Sequence, residues 1–327
     1  MIDQATHSAP RRLGLIITFG LAALAMIYLS YSLPRLLPGD FVTAMYSSSH
    51  VTLTAEQEAE LRAYYTEKPG FGRYLVKLAS LDWGYSYAFL TPVSDLFFGA
   101  LPWTLLLLGT AHVMSMFVGF VTGVEAAWRR DSHLEKSMVG GMTVLEGVPE
   151  ISTGVILLVV FALHLGWFPA TGAETAYAEV SLWARLADVG HHLALPLATL
   201  VFAYFPGNFL LTRNSMVMVI KQSYITTARA KGLPARRIRY AHAARNALLP
   251  LVTRFGLRLA FMITGALVVE RIYSYPGLGT LLFNAIKARD LPVIQAVVLV
   301  SSLMVLTTIL GLEMIYRIID PKIEHAH

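Results

Sequence analysis

Four ionisable side chains lie inside otherwise apolar stretches of this sequence. Glu146 and Glu150 are four residues apart in one stretch, and Arg254 and Arg258 have the same spacing in another. Residues four apart share a helical face, and the two pairs lie at similar depths from the starts of their stretches. Charge in a membrane-crossing helix is costly and usually marks a functional site. We expect the pairs to interact between helices and to line or gate a pathway, with a purely structural ion pair as the alternative.

Two helix-breaking positions accompany these charges. Pro149 lies between the two glutamates and is expected to kink that helix, because proline removes a backbone hydrogen bond. Asn208 follows a Pro206-Gly207 pair in a third apolar stretch. Broken helices at membrane depth are tolerated where they line a cavity. Pro149 and Asn208 therefore join the four charged residues as candidates to line this pathway.

The sequence lacks the common signatures of catalytic and metal sites. It contains no GxxxxGK[ST] phosphate loop, no HExxH and no GxSxG. It has no cysteine, which excludes disulfides and thiolate ligands. His191 and His192 are adjacent, so on a helix they would point about 100° apart and would not easily bind one metal. We expect no enzyme activity, no catalytic residue, no metal site and no cofactor on this chain.

Composition places these residues in a membrane protein. Of 327 residues, 55% are hydrophobic and only 14% are charged, and the mean hydropathy is +0.57. Soluble domains carry roughly 25% charged residues. A spanning helix needs about 20 mostly apolar residues. Six stretches meet this condition and predict an all-α membrane protein with six transmembrane helices: Leu13–Leu33, Leu101–Trp128, Met138–Leu165, His192–Thr212, Leu248–Val269 and Leu291–Tyr316.

The positions of the basic residues predict the orientation of these helices. Lys and Arg are concentrated in the loops 129–137 and 213–247, whereas the loop 166–190 has one basic residue against three acidic ones. Basic loops remain in the cytoplasm. Both termini are therefore expected in the cytoplasm.

The predicted organisation follows from the spans and their orientation. Its parts are a cytoplasmic tail (1–12), a first transmembrane helix (13–33), an extracytoplasmic segment (34–100), a five-helix core (101–317) that includes the cytoplasmic loop 213–247, and a cytoplasmic tail (318–327). Within the extracytoplasmic segment, Thr54 and Gln57 have the spacing of a capping box. They predict a short helix over Thr54–Tyr65.

The 213–247 loop combines charge with turn-forming residues. The stretch TTARAKGLPARRIRYAHAARNALLP contains six Lys or Arg and no acid. Gly232 can close one helix in the left-handed conformation, and Pro234 suits the first turn of the next. Three apolar residues lie among the basic ones: Leu233, Ile238 and Ala241. Such a helix suits insertion into a groove on another protein. Two alternatives are that the charge only retains the loop in the cytoplasm, or that it binds anionic membrane lipid. Either alternative would explain the positive charge but not the turn-forming and apolar residues.

This loop is one of seven stretches whose order along the chain is informative. Its ARAKGL and RNALLP motifs follow LPRLLPGD, LDWGYSYAFLTPVSDLFFGALPWTLLL, HLGWFPATG and HLALPLATL, and they precede YSYPGLGTLLFNAIKARDLPVIQA and IDPKI. In this order the motifs resemble those of ABC importer permeases of the binding-protein-dependent type, in the dipeptide, oligopeptide and nickel branch. The resemblance covers nearly the whole chain.

The resemblance implies that the loop docks on an ATPase subunit and couples it to the transmembrane helices. Family loops open with Glu-Ala-Ala, whereas this one has Thr226, Thr227 and Ala228. The basic residues are therefore expected to supply the polar part of the interface, and Leu249-Pro250 matches the downstream pair. The implied ATPase-coupling residues are Ala228, Arg229, Lys231, Gly232, Leu233, Pro234, Arg236, Arg237 and Ile238.

The resemblance also implies an assembly and a cargo. The chain is expected in the bacterial cytoplasmic (inner) membrane with a second homologous permease chain, two ATPase subunits that bind ATP and Mg, and an extracytoplasmic solute-binding protein. No nucleic-acid partner is expected. The chain would form half of a pathway for short peptides, and nickel or a nickel–chelator complex is the alternative cargo. An ion-gradient-driven transporter or channel is the alternative from another class.

Overall fold

The computed structural model describes residues 8–36, 54–57, 59, 70–86, 88–175, 181–260, 267–288 and 290–319. This part of the chain is mostly helical, as predicted. A short antiparallel hairpin, in which β1 (Tyr85–Ser86) pairs with β2 (Thr91–Pro92), was not predicted. The helices are α1 (Ser8–Leu36), α2 (Phe71–Ala79), α3 (Val93–Trp128), α4 (His133–Glu146), α5 (Glu150–Leu157), α6 (Leu182–Ile220), α7 (Ser223–Ala230), α8 (Ala235–Arg237), α9 (Arg245–Ala247), α10 (Leu249–Ala260), α11 (Leu267–Ile272), α12 (Leu278–Ala288) and α13 (Leu291–Ile319). Two π-helical segments, Leu158–His164 and Ile238–Ala244, continue α5 and α8.

One compact unit consists of the described residues within 1–101 and 281–327. In it, α1 packs against α13, where Gln295 Nε2 donates a hydrogen bond to the Ser30 carbonyl at 2.5 Å. The hairpin is attached to the start of α13, because Ser86 Oγ donates to Asp290 Oδ2 at 2.5 Å. Asp290 is buried, and this burial raises the pKa of its carboxyl.

The other compact unit consists of the described residues within 102–280. Here α3 and α6 approach closely at Gly119 and Gly123, which form a GxxxG pattern. A Cβ at Gly119 would lie 2.7 Å from Asn208 Cβ, and one at Gly123 would lie 2.8 Å from the Phe209 carbonyl oxygen. Small residues at such spacing allow two membrane helices to touch through their backbones. This pair of helices is the frame on which the candidate sites are built.

Within the described residues, three helical stretches are long and apolar enough to cross a membrane: α3, α6 and Leu291–Gly311 of α13. The bent pair of α4 with α5 and its π-helical continuation would be a fourth, and α1 contains a shorter apolar stretch, Ile17–Ser32. These helices coincide with five of the predicted spans. The remaining one, Leu248–Val269, begins as α10 and includes residues 261–266, which lie outside the described residues. The number of six spans and their orientation remain predictions.

Two helices extend beyond the membrane spans predicted for them. The helix predicted from Leu101 begins at Val93, because the hairpin leads directly into α3 and the Val93 amide donates to the Gly84 carbonyl at 3.0 Å. The helix predicted over His192–Thr212 extends from Leu182 to Ile220, and Ser181 Oγ caps its first turn. In both cases the apolar run marks only part of a longer helix.

The predicted capping box is confirmed. The Thr54 amide donates to Gln57 Oε1 at 3.0 Å, and the Gln57 amide donates to Thr54 Oγ1 at 3.4 Å. Residues 55–57 are helical. Most of the remaining predicted helix, up to Tyr65, lies outside the described residues.

Candidate functional site

The cationic segment, defined here as residues 223–247, contains the predicted helix, turn and second helix. α7 is followed by Gly232, whose φ of +69° is left-handed, and the Gly232 amide donates to the Arg229 carbonyl at 2.9 Å. Pro234 then has an extended backbone, with φ −62° and ψ 141°, and precedes α8. The turn predicted at Gly232 is confirmed, whereas Pro234 lies at the N-cap of α8, one position before the first turn in which it was predicted.

The apolar side chains of the cationic segment face the rest of the chain. Ile238 is 3% exposed, and Leu233 is half-buried against the same cluster. The buried members of this cluster are Val124, Ala127, Met216, Ile225, Ala228, Ile238, Ala243, Ala244 and Ala247. Ala241 is exposed, whereas Leu233 and Ile238 are covered by this chain and are not available for insertion into a groove on another protein. They attach the segment to α3 and α6, which supply Val124 and Met216.

Glu125 of α3 holds the second half of the segment by charge. Arg239 Nη1 donates to both carboxylate oxygens of Glu125 at 2.5 Å. The Tyr240 hydroxyl donates to the same carboxylate at 2.5 Å, and this hydrogen bond raises the pKa of Tyr240. The Arg239 and Arg229 guanidinium carbons lie 5.3 and 5.8 Å from the centre of the Trp128 ring. Charge-assisted bonds of this kind are the stronger hydrogen bonds in proteins.

The outward side of the cationic segment is basic. Arg229, Lys231, Arg236 and Arg237 are exposed. The ion pairs described in this region are made by other arginines. The positive charges of Lys231, Arg236 and Arg237 therefore face outward. This arrangement agrees with the expectation that basic residues provide the polar surface of the segment.

Pro149 separates the two glutamates of the apolar stretch. α4 ends at Glu146, α5 begins at Glu150, and the two helices meet at an angle of 93° with Pro149 at the N-cap of α5. The predicted kink is confirmed. The prediction that Glu146 and Glu150 share one helical face is wrong, because the helix breaks between them. Arg254 and Arg258 both lie on α10, as predicted.

Glu146 and Arg254 form the predicted pair between helices. Arg254 Nη2 lies 3.9 Å from Glu146 Oε1, and Arg254 Nη1 donates to the Gly207 carbonyl at 2.8 Å. Only glycine at position 207 leaves room for both the Arg254 guanidinium and the Glu146 carboxylate. A Cβ at this position would lie 2.5 Å from Arg254 Nη2 and 2.6 Å from Glu146 Oε1. The pair therefore forms where α4, α6 and α10 meet.

Gly207→Ala is expected to disrupt this junction without unfolding the chain, because the atoms displaced are the ends of flexible side chains. Losing a charged hydrogen bond costs about 1.5–3 kcal/mol, so transport should fall by about tenfold or more if the junction must form during each cycle. The measurement is substrate uptake by the reconstituted transporter. Gly190→Ala is the matched control on α6, since a Cβ there meets nothing within 4 Å. Equal uptake by the two variants would contradict the prediction.

Glu150 and Arg258 are arranged differently from Glu146 and Arg254. The Arg258 guanidinium carbon lies 4.4 Å from the centre of the Tyr204 ring. Tyr204 in turn stacks on His112, with ring centres 4.8 Å apart and an angle of 21°. Glu150 is near enough to Arg258 for an electrostatic interaction, but the described ion pairs do not include one between them. The predicted direct pairing is therefore confirmed for Glu146 and Arg254 alone.

Asn208 has a packing role in the structure. Its side chain is buried, and Nδ2 donates to Ser115 Oγ at 3.3 Å. Ser115 lies on α3, so this amide joins α3 to α6. The prediction that Asn208 faces a pathway is not supported by this position.

Two buried glutamates were missed by sequence reasoning. Glu135 is 3% exposed and accepts a hydrogen bond from Arg213 Nε at 2.8 Å, which joins α4 to α6. Glu270 is fully buried and accepts from Thr104 Oγ1 at 2.7 Å and from the Thr280 amide at 3.0 Å. Neither has a partner at helical spacing that a sequence pattern could reveal.

Comparison with known proteins agrees with this architecture. Residues 115–325 match the family described as "Binding-protein-dependent transport system inner membrane component". The chain is 35% identical over 306 residues to the oligopeptide transport system permease protein AppB of Bacillus subtilis, covering 92% of this chain and 95% of AppB. It is 32% identical over 337 residues to the di/tripeptide transport system permease protein DppB of Pseudomonas aeruginosa, covering 96% and 98%. It is 32% identical over 324 residues to the glutathione transport system permease protein GsiC of Salmonella paratyphi A, covering 96% and 97%. The chain therefore belongs to the binding-protein-dependent family of ABC importer permeases, and it is a multi-pass inner-membrane protein.

Proposed function

We propose that this chain is one of two permease subunits of an ATP-driven importer of short peptides. Its family supports an external solute-binding protein and ATPase partners, and the names of its relatives support peptides as the cargo. In this proposal the chain has six spans, both termini lie in the cytoplasm, and a second permease chain completes the pathway. ATP and Mg are bound by two ATPase subunits.

The outward basic side of the cationic segment carries this proposal. Lys231, Arg236 and Arg237 suit an acidic surface on the ATPase subunit, and the buried apolar residues attach the segment to the helices behind it. A movement imposed on the segment would therefore pass through Glu125 to α3 and through Met216 to α6. The segment acts as a rigid connection, because its apolar side is already packed within this chain.

The docking surface can be mapped with single cysteines, because the sequence contains none. A photoactivatable benzophenone attached to Lys231→Cys or Arg236→Cys should cross-link to the ATPase subunit in the assembled importer. Both positions are exposed, so the label should not disturb packing. The measurement is the cross-linked product on a denaturing gel.

Ala187→Cys is the control, since it is also exposed but lies near the opposite end of α6. It should give no product with the ATPase. Cross-linking from Ala187→Cys and none from Lys231→Cys or Arg236→Cys would reject the proposed docking surface.

A further inference from the structure

Glu150 and Arg258 differ from the neighbouring Glu146–Arg254 pair in that their charges do not meet. Arg254 uses its two terminal nitrogens on Glu146 and on the Gly207 carbonyl. Arg258 instead lies over the Tyr204 ring, and Glu150 begins the next helix beyond the bend. Both side chains are half-buried within this chain. One acid and one base are thus left available beside a pair that is already neutralised.

A separated acid and base, placed in two of the predicted membrane spans, fit a ligand with two opposite charges. An arginine binds a carboxylate through two parallel hydrogen bonds, and a glutamate can accept hydrogen bonds from an ammonium group. A short peptide with free termini carries one of each charge. Ionisable groups in a membrane span are costly without such a role.

We propose that Glu150 binds the α-ammonium and Arg258 the α-carboxylate of a short peptide during its passage. The site rests on the proposed function as a peptide permease, and it names the groups on the cargo that the chain contacts. Tyr204 contacts the Arg258 guanidinium with its ring face, and His112 stacks on Tyr204. These two rings hold the guanidinium in place before the ligand binds. The Glu146–Arg254 pair and Gly207 hold the neighbouring helices together. Glu150 and Arg258 then bind the two termini of the peptide.

The test combines variants of the chain with capped peptides. The assembled importer, without its binding protein, is placed in nanodiscs, and binding of Ala-Ala is followed by saturation-transfer difference NMR. Glu150→Gln and Arg258→Gln should each weaken binding of Ala-Ala by about tenfold, the effect of losing one charged contact. Arg258→Gln should not weaken binding of Ala-Ala amide further, and Glu150→Gln should not weaken binding of N-acetyl-Ala-Ala further. Glu174→Gln, which alters a partly exposed glutamate paired with Arg185, is the matched control and should bind as the unaltered chain does.

The capped peptides separate recognition of the termini from a structural role. Three results would each overturn the proposed site. The first is an equal loss of affinity for free and capped peptides, and the second is unchanged binding in both variants. The third is no detectable binding of Ala-Ala to the unaltered importer. ATP-dependent uptake of Ala-Ala in the presence of the binding protein is measured in parallel. Uptake without the expected binding pattern rejects the site alone, whereas no uptake of any peptide rejects the proposed function.

Discussion

Replacement of Gly232 by proline should abolish peptide uptake while the importer still assembles. The φ of Gly232 is +69°, and proline holds φ near −65°. Proline also removes the amide that donates to the Arg229 carbonyl at 2.9 Å. A strained backbone residue costs about 1–3 kcal/mol, so the turn should rearrange and displace Pro234, Arg236 and Arg237 from the docking surface.

The effect of Gly232→Pro should be confined to coupling. A Cβ at this position meets nothing within 4 Å, so the new side chain does not clash with the rest of the chain. We expect ATP hydrolysis that no longer responds to the loaded binding protein, measured together with uptake in proteoliposomes, and an unchanged elution of the complex in size-exclusion chromatography. Gly232→Asn is the control, since asparagine tolerates the left-handed conformation, and it should retain most uptake. Normal coupled uptake by Gly232→Pro would show that the turn has no part in coupling.

Gly279→Ala should have the opposite outcome and prevent stable folding. A Cβ at Gly279 would lie 2.5 Å from Leu267 Cα, 3.0 Å from Leu267 Cβ and 2.9 Å from Glu270 Oε2. The first of these contacts is with backbone, so no rotation of a side chain relieves it. Overpacking costs about 1–3 kcal/mol, and displacement of the Glu270 carboxylate from Thr104 and Thr280 adds about 1.5–3 kcal/mol for each charged hydrogen bond.

The measurement for Gly279→Ala is the yield of monodisperse complex and its thermal unfolding midpoint in detergent. Both should fall strongly. Gly311→Ala in α13 is the matched control, because a Cβ there meets nothing within 4 Å. A Gly279→Ala complex as stable as the control would mean that the backbone around Leu267 and Glu270 can move apart at little cost.

Local chemistry in the sequence predicted the turns well. The left-handed turn at Gly232, the helix start after Pro234, the break at Pro149 and the Thr54–Gln57 capping box each depend on a few neighbouring residues. Apolar length also located most of the helices that can cross a membrane. It did not locate their ends, because α3 and α6 continue beyond their apolar runs.

Longer-range relations could not be predicted from the sequence. The apolar positions of Leu233 and Ile238 were visible, but whether a partner or this chain covers them depends on the ends of α3 and α6. The Glu125–Arg239 contact joins residues 114 positions apart, and no periodic pattern connects them. The helical spacing of Glu146 and Glu150 was misleading for a physical reason: spacing defines a face only where the helix is continuous.

Uptake of labelled Ala-Ala into proteoliposomes decides whether this chain belongs to an ATP-driven peptide importer. The vesicles contain this chain, its partner permease and the ATPase subunits, with loaded binding protein outside and Mg-ATP enclosed or omitted. Ala-Ala should accumulate only with Mg-ATP, and it should not accumulate when the ATPase subunits are left out. Accumulation by this chain without ATPase subunits, driven by an ion gradient, would contradict this prediction.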